Sequence, residues 1–123
     1  PYLVTLSYGF DAETRRLYGH VALAGHKLDV CAANPAACGT VIRDLGYVAG
    51  DCTQRYESVV VYGRLRLVDD GEEAHHGMRV LMRQLEADSE ATWAGNDLDD
   101  PATWQRFRML AFDVEHATGK RGI

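Results

Sequence analysis

Hydrophobic and polar residues alternate along several stretches of the chain, and a period of two residues is typical of β-strands with one buried face. The clearest stretch is Arg55–Val68, in which Val59 and Val61 point to one face and Tyr62 points to the other. Gly63 interrupts this alternation, which predicts a bulge or a close approach by another part of the molecule. The pattern predicts four further strands, at residues 1–9, 15–21, 37–43 and 107–116.

Apolar residues recur at helical spacing in two other segments. The first helix is predicted to begin near Ala24 and to end before Asn34-Pro35, because proline cannot continue a helix and restricts the residue before it. The second helix follows Asp70, which forms a potential capping box with Glu73, and its apolar stripe continues to Leu85.

The remaining segments are expected to be connections. Asp44–Thr53 is glycine-rich and Asp88–Asp100 is polar, so both are predicted as loops, and Asp100-Pro101 predicts a single helical turn. The predicted order of elements is β-β-α-β-β-α-β. This order favours a mainly β fold, a small antiparallel barrel with flanking helices, in a single domain over residues 1–123.

Composition narrows the functional class. The chain has 123 residues and a net charge of −5, which disfavours a nucleic-acid-binding surface. No apolar run approaches the roughly 20 residues of a membrane span, so no membrane association is expected. Three cysteines without a C-x-x-C pair, together with an amino end that lacks signal-peptide features, favour a cytoplasmic protein.

A potential anion site lies where the first helix begins. His26 and Lys27 follow Gly25, and an imidazole and an ammonium beside free backbone N–H groups are suited to a phosphate. Alternatively, Lys27 simply points into water, as most lysines do.

The other histidines give weaker indications. His20 ends a predicted strand, where it is either a catalyst or a hydrogen-bonded structural residue. His75 and His76 lie near the start of the second helix and are interpreted as a solvated face. The histidines and cysteines have no zinc or haem spacing, so no metal site is predicted. No nucleophile elbow, Walker loop or dinucleotide fingerprint is present.

An ordered set of short segments is similar to a known family. The set consists of residues 1–8, 17–20, 25–29, 34–35, 55–59, 63–64 and 118–120. In this order and spacing the chain resembles the pyridoxamine 5′-phosphate oxidase-like flavoproteins, in the branch related to nitroimidazole-resistance proteins. Such proteins usually begin with a helix and a strand before the segment that matches Pro1, so either this sequence is a fragment of the mature protein or the barrel lacks an element.

The resemblance implies an FMN-binding split β-barrel, antiparallel and Greek-key-like, that forms a homodimer with FMN between the subunits. His26 and Lys27 would contact the phosphate, Ser58 would approach the flavin from the partner chain, and His20 would be the catalytic residue beside the reactive ring. The full set of cofactor-binding residues it implies is Thr5, Leu6, Ser7, His20, Val21, His26, Lys27 and Ser58.

Three functions follow as hypotheses. The first is an FMN-dependent oxidoreductase that reduces a small molecule, such as a nitroaromatic or nitroimidazole compound. The second is a binding protein without turnover that carries a flavin, the deazaflavin F420 or haem. The third is a barrel whose groove is empty and whose dimer serves only association.

Overall fold

The computed structural model describes residues 1–122. Its strands are β1 (Gly9–Asp11), β2 (Arg16–Val21), β3 (Ala36–Val48), β4 (Thr53–Leu67) and β5 (Arg108–Gly122). Its helices are α1 (His26–Ala33), α2 (Gly71–Leu85), α3 (Ser89–Gly95) and a 3₁₀ helix at Pro101–Gln105. The predicted mainly antiparallel architecture with flanking helices is confirmed.

The five strands form one antiparallel sheet in the order β1-β2-β5-β4-β3. The last strand is therefore central, and it joins the β1–β2 hairpin to the longer β3–β4 hairpin. At the β1 edge, the Gln84 side chain of α2 accepts from Phe10 N–H at 2.8 Å and donates to the Tyr8 carbonyl at 2.9 Å. This amide satisfies backbone groups that an edge strand would otherwise leave unpaired.

Side chains alternate between two faces of the sheet, and a different helix covers each face. The α2 face carries the larger cluster, which consists of Tyr18, Val68, Met78, Leu81, Trp93, Leu98, Met109 and Ala111. The α1 face carries the smaller one, which consists of Val21, Leu28 and Leu110 with Leu6, Cys31, Leu65 and Leu67 packed against it. Adjacent residues of β5, Met109 and Leu110, therefore contribute to different clusters.

Two β-bulges shift the strand register. One lies between Asp44 and Gly46 in β3, and the other accompanies Gly63 in β4, where Glu115 is the extra residue of β5. At Gly63 an added Cβ would overlap the Asp113 carbonyl oxygen. The bulge and the close approach that the sequence predicts at Gly63 are both confirmed.

The bulges also explain two wrong strand boundaries. β3 extends to Val48 instead of ending at Arg43, and β5 extends to Gly122 instead of His116. A bulge adds one residue, so the two-residue period breaks there although the strand continues. The predicted Asp44–Thr53 loop is thus reduced to a turn after Val48.

The first eight residues do not form the predicted strand, since regular pairing begins only at Gly9. Leu6 packs into the α1-face cluster, and the Ser7 carbonyl lies 3.0 Å from the position that a Cβ on Gly19 would occupy. The segment therefore crosses the face of β2 instead of extending β1.

The predicted loop from Asp88 to Asp100 contains helix α3. The Asp88 carboxylate accepts from the Ala91 N–H and caps this helix, and buried Trp93 anchors it to the α2-face cluster. The helical turn predicted at Asp100-Pro101 is confirmed as the 3₁₀ helix.

The outer half of the β3–β4–β5 sheet, beyond the Gly63 bulge, lacks a covering helix. No residue between Leu28 and Val61 belongs to the buried hydrophobic core of the described chain. Ile42 is 63% exposed and Tyr47 is 61% exposed. The strand register puts these two residues on the same face as Val60 and Tyr62, and we call these four residues the outer apolar face.

Candidate functional site

The start of α1 has the geometry of an anion site. Gly25 has a φ of 149°, which favours glycine, and no side chain caps this end of the helix. The N–H groups of Leu28 and Asp29 donate to the Gly25 carbonyl at 3.1 and 3.2 Å. The preceding N–H groups, those of His26 and Lys27, are the ones that an anion at this helix start would reach.

The side chains at this corner differ in accessibility. Lys27 is half-buried, whereas His26 is exposed, with its ring edge-on to the Tyr2 ring at 4.8 Å. Asp29, in the first turn, adds a negative charge that weakens the field for an anion. On the side of α1 that packs against the sheet, burial raises the pKa of the Cys31 thiol, which disfavours a reactive thiolate.

Most of the predicted cofactor residues meet at this corner. Leu6 and Val21 pack in the same cluster as Leu28 of α1, so only their backbones remain available to a ligand. Thr5 and Ser7 flank Leu6 and are exposed. The structure therefore brings residues 5–7, Val21 and the His26-Lys27 pair to one side of the sheet.

His20 belongs to the other side of the sheet. It neighbours Val21 in β2 and therefore points to the α2 face, where its ring lies edge-on to Phe107 at 6.0 Å. Its side chain is exposed. His20 and Lys27 thus border the same end of β2 from opposite faces.

Ser58 is separated from this end of the sheet. It lies in the outer half of β4, opposite Ile42 and Lys120. Helix α1 contacts β4 at the level of Leu65, seven residues further on, which corresponds to about 23 Å along a strand. Within one chain, Ser58 is not part of the α1 corner.

Sequence reasoning missed a cavity of about 310 Å³ between α2, the 3₁₀ helix and the start of β5. The cavity is lined by Val68, Asp69, Gly71, Ala74, His75, Trp104, Phe107, Arg108 and Met109. Two of its ring-bearing residues, His75 and Trp104, are 29 residues apart in the sequence, so no local pattern indicates the site.

His75 and His76 are both exposed, as the prediction of a solvated face requires, but each also makes a specific contact. The His75 ring lies 4.2 Å from the Trp104 ring, and its Nδ1 donates to the Gly71 carbonyl at 2.9 Å. His76 Nε2 lies 2.7 Å from Asp11 Oδ2, and this hydrogen bond lowers the pKa of Asp11. Both histidines thus have structural contacts.

A cluster of four charges lies on the α2 face between the sheet and α2. Arg66 contacts Asp113 at 2.7 Å and Glu73 at 2.6 Å, and Arg16 contacts Asp113 at 2.9 Å. The Arg66 guanidinium is the main reason why the pKa of Asp113 is lowered. Glu73 is therefore an ion-pair residue and not part of a capping box, although Asp70 does cap α2.

The buried Tyr18 hydroxyl lies near this cluster but has no hydrogen-bond partner in the described structure. Burial raises its pKa, and the nearby Arg16 guanidinium opposes that shift without reaching hydrogen-bond geometry. Among residues 1–122, no group of three or more metal-ligating side chains is placed to hold a metal ion. No helix in this part of the chain is long and apolar enough to cross a membrane.

The sequence matches the family model described as pyridoxamine 5′-phosphate oxidase over residues 1–121. Among curated proteins, none matches the chain in sequence.

Several solved structures have a similar split-barrel fold. A proposed 5-nitroimidazole antibiotic resistance protein from Bacteroides thetaiotaomicron has a TM-score of 0.76 and 24% identity, over 99% of this chain and 69% of the other. A FAD-binding protein from Mesorhizobium loti has a TM-score of 0.61 and 20% identity, over 100% and 76% of the two chains. The flavocytochrome Anf3 from Azotobacter vinelandii has a TM-score of 0.58 and 16% identity, over 86% and 50%.

Proposed function

Because the chain belongs to the pyridoxamine 5′-phosphate oxidase family, we propose that it binds FMN at the α1 corner and acts as an oxidoreductase on a small molecule. One observation carries the proposal: α1 begins without a side-chain cap, beside a half-buried lysine and an exposed histidine. A terminal phosphate would satisfy the free N–H groups and pair with the ammonium. The FAD-binding protein and the flavocytochrome among the similar structures support a flavin.

The proposed roles are those that the family resemblance implies for these residues. When bound, FMN supplies the electron-transfer chemistry. Lys27 and the first amides of α1 hold the phosphate, while the backbone of residues 5–7 and Val21 borders the ring. His20 orients the substrate and donates a proton to it from the exposed end of β2.

We also propose that the active unit is a homodimer. Ser58 lies too far along β4 to approach a flavin held by Lys27 of its own chain. It shares the outer half of the sheet with the outer apolar face, so a second copy that covers this face would bring its own Ser58 toward the first chain's flavin.

The proposed substrates are nitroaromatic or nitroimidazole compounds. The observation in favour is the likeness to the proposed 5-nitroimidazole antibiotic resistance protein. A carrier of flavin, F420 or haem without turnover is the alternative, and the flavocytochrome neighbour is the observation that favours it. The absorption spectrum of the purified protein distinguishes flavin, F420 and haem. NADPH-dependent loss of a nitro compound then distinguishes an enzyme from a carrier.

The sharpest test of the phosphate site is Lys27→Ala. Loss of a charged hydrogen bond to a phosphate should weaken FMN binding about tenfold to a hundredfold, measured by quenching of flavin fluorescence. Lys27→Arg should retain most of the affinity, and Arg83→Ala, which removes an exposed cation from α2, should retain all of it. Unchanged FMN affinity in Lys27→Ala would remove this residue from the phosphate site.

A further inference from the structure

We propose that the cavity between α2, the 3₁₀ helix and β5 is the substrate pocket, and that it selects a flat aromatic ring bearing a nitro or carboxylate group. This inference rests on the proposed function, because it assigns the substrate site of the same reaction. It concerns residues for which the family resemblance gave no role.

The position of the cavity relative to His20 is the first argument. His20 of β2 is paired directly with Met109 of β5, and Met109 lines the cavity. Directly paired residues of antiparallel strands have Cβ atoms about 4.5–5.5 Å apart. The next pair, Val21 with Arg108, closes the same end of the sheet, from which the chain continues into α1. The cavity therefore opens beside the proposed proton donor, at the end of the sheet that the proposed flavin corner borders from the opposite face.

The walls of the cavity are suited to a planar ring. The Trp104 ring lies 5.1 Å from Phe107 and 4.2 Å from His75, so the three rings form a continuous aromatic surface. Trp104 Nε1 donates to the Leu98 carbonyl at 2.9 Å, and His75 is held by the Gly71 carbonyl. These hydrogen bonds fix the rings before a ligand arrives, which lowers the entropy cost of stacking.

The size of the cavity limits its ligand. A volume of about 310 Å³ is at the lower end of the range for small-molecule sites. This volume is suited to a compound of one or two rings.

Arg108, at the rim of the cavity, supplies a polar group that can bind the ligand. Arg108 Nη2 contacts Asp69 Oδ1 at 2.9 Å, but the Asp69 side chain is 90% exposed, so this pair is strongly screened by water. A guanidinium has five N–H donors, and those not used by Asp69 can bind a nitro or carboxylate oxygen. Arg108 is thus placed to orient a negatively polarised substituent at the mouth of an aromatic pocket.

The test is calorimetric titration of the full chain with 4-nitrobenzoate. The protein is used as purified, with whatever flavin it then carries. Phe107→Leu should weaken binding about threefold to tenfold, because it removes one aromatic wall. Arg108→Gln should weaken binding about tenfold and should weaken nitrobenzene binding much less, because the carboxylate loses its cation. Phe10→Leu is the matched control, since Phe10 is exposed on β1 outside the cavity, and it should leave binding unchanged.

Four outcomes separate this inference from the proposed function. Binding that is weakened by both cavity variants and not by Phe10→Leu supports the pocket, whether or not flavin is bound. No binding to a protein that carries FMN overturns the pocket and leaves the flavin proposal standing. Binding that neither cavity variant changes also overturns the pocket. Binding at the cavity by a protein that takes up no FMN supports a ligand site but contradicts the proposed oxidoreductase.

Discussion

At the scale of single residues, Asp113 connects the sheet to α2 through two arginines. Arg66 donates to both of its carboxylate oxygens, at 2.7 and 3.2 Å, and Arg16 adds a contact at 2.9 Å. These contacts stabilise the charged form, so the pKa of Asp113 in the folded state lies below its unfolded value of about 3.9. A lowered folded pKa means that the stabilisation is complete above the unfolded pKa and is lost as the pH falls through the folded one.

We therefore expect Asp113→Asn to lower the free energy of unfolding at pH 7 by about 1–2 kcal/mol, a value reduced for the partial exposure of the cluster. Below about pH 4 the wild-type protein should lose this advantage and the two proteins should converge. Urea denaturation at several pH values measures both effects. Asp51→Asn, in the exposed turn after β3, should not change the pH profile. A constant difference between Asp113→Asn and wild type down to pH 2 would contradict the assignment.

Single residues also show what the sequence can and cannot predict. Gly63 was informative because a glycine inside a strong alternating pattern is unexpected, and the close approach of Asp113 explains it. Lys27 was informative because it stands at a helix start. Trp104 was not, because its stacking partner His75 lies 29 residues away and only the tertiary fold brings their rings together.

At the scale of elements, the packing of α2 on the hairpin depends on two glycines. A Cβ on Gly77 would lie 2.7 Å from Cδ1 of the buried Tyr18 ring, and one on Gly9 would overlap the α2 backbone at Leu81. Helix and sheet therefore approach more closely than two ordinary side chains would allow.

Gly77→Ala should destabilise the protein by about 1–3 kcal/mol, because the added methyl group overpacks the Tyr18 ring. Gly71→Ala is the matched control, since it lies in the same helix with open space at its Cβ position, and it should be neutral or stabilising by up to about 1 kcal/mol. Chemical denaturation monitored by circular dichroism gives both values. Equal stability of the two variants would show that the helix can shift without cost.

Elements with a regular period were predicted well, and those without one were not. The stripe of α2 and the alternation of β4 both correspond to observed elements. Helix α3 was missed because its seven residues are too short for a clear period, and Trp93 alone anchors it in the core. The first eight residues alternate like a strand, but burial of Leu6 on the α1 face directs them across the sheet.

At the scale of the whole molecule, the three longest strands extend well past the helices. Their outer halves leave Ile42, Tyr47, Tyr62 and Val60 without a covering layer in a single chain. Large exposed apolar residues on one face of a sheet are typical of an interaction site, and the proposed homodimer would bury them.

Ile42→Glu should convert the proposed dimer to a monomer, because a charge would be buried at the interface without a partner. Light scattering coupled to size-exclusion chromatography measures the molecular mass. FMN affinity should fall when the dimer dissociates, because the flavin then loses Ser58 of the second copy. Leu85→Glu, at an apolar position on α2 that is also more than half exposed, should leave both properties unchanged. A monomeric wild-type protein, or a monomeric variant with full FMN affinity, would contradict the shared site.

The extra residue at Glu115 sets the phase of β5. Before it, Leu110, Phe112 and Val114 lie beside Leu67, Leu65 and Gly63; after it, Ala117 and Gly119 lie beside Val61 and Val59. Even-numbered residues before the bulge and odd-numbered residues after it therefore lie on the same face of the sheet. If Glu115 were instead paired as an ordinary residue of the ladder, every later position would shift by one, and His116 and Thr118 would take the places of Ala117 and Gly119. One inserted residue therefore allows a single strand to complete the core at one end and present a separate surface at the other.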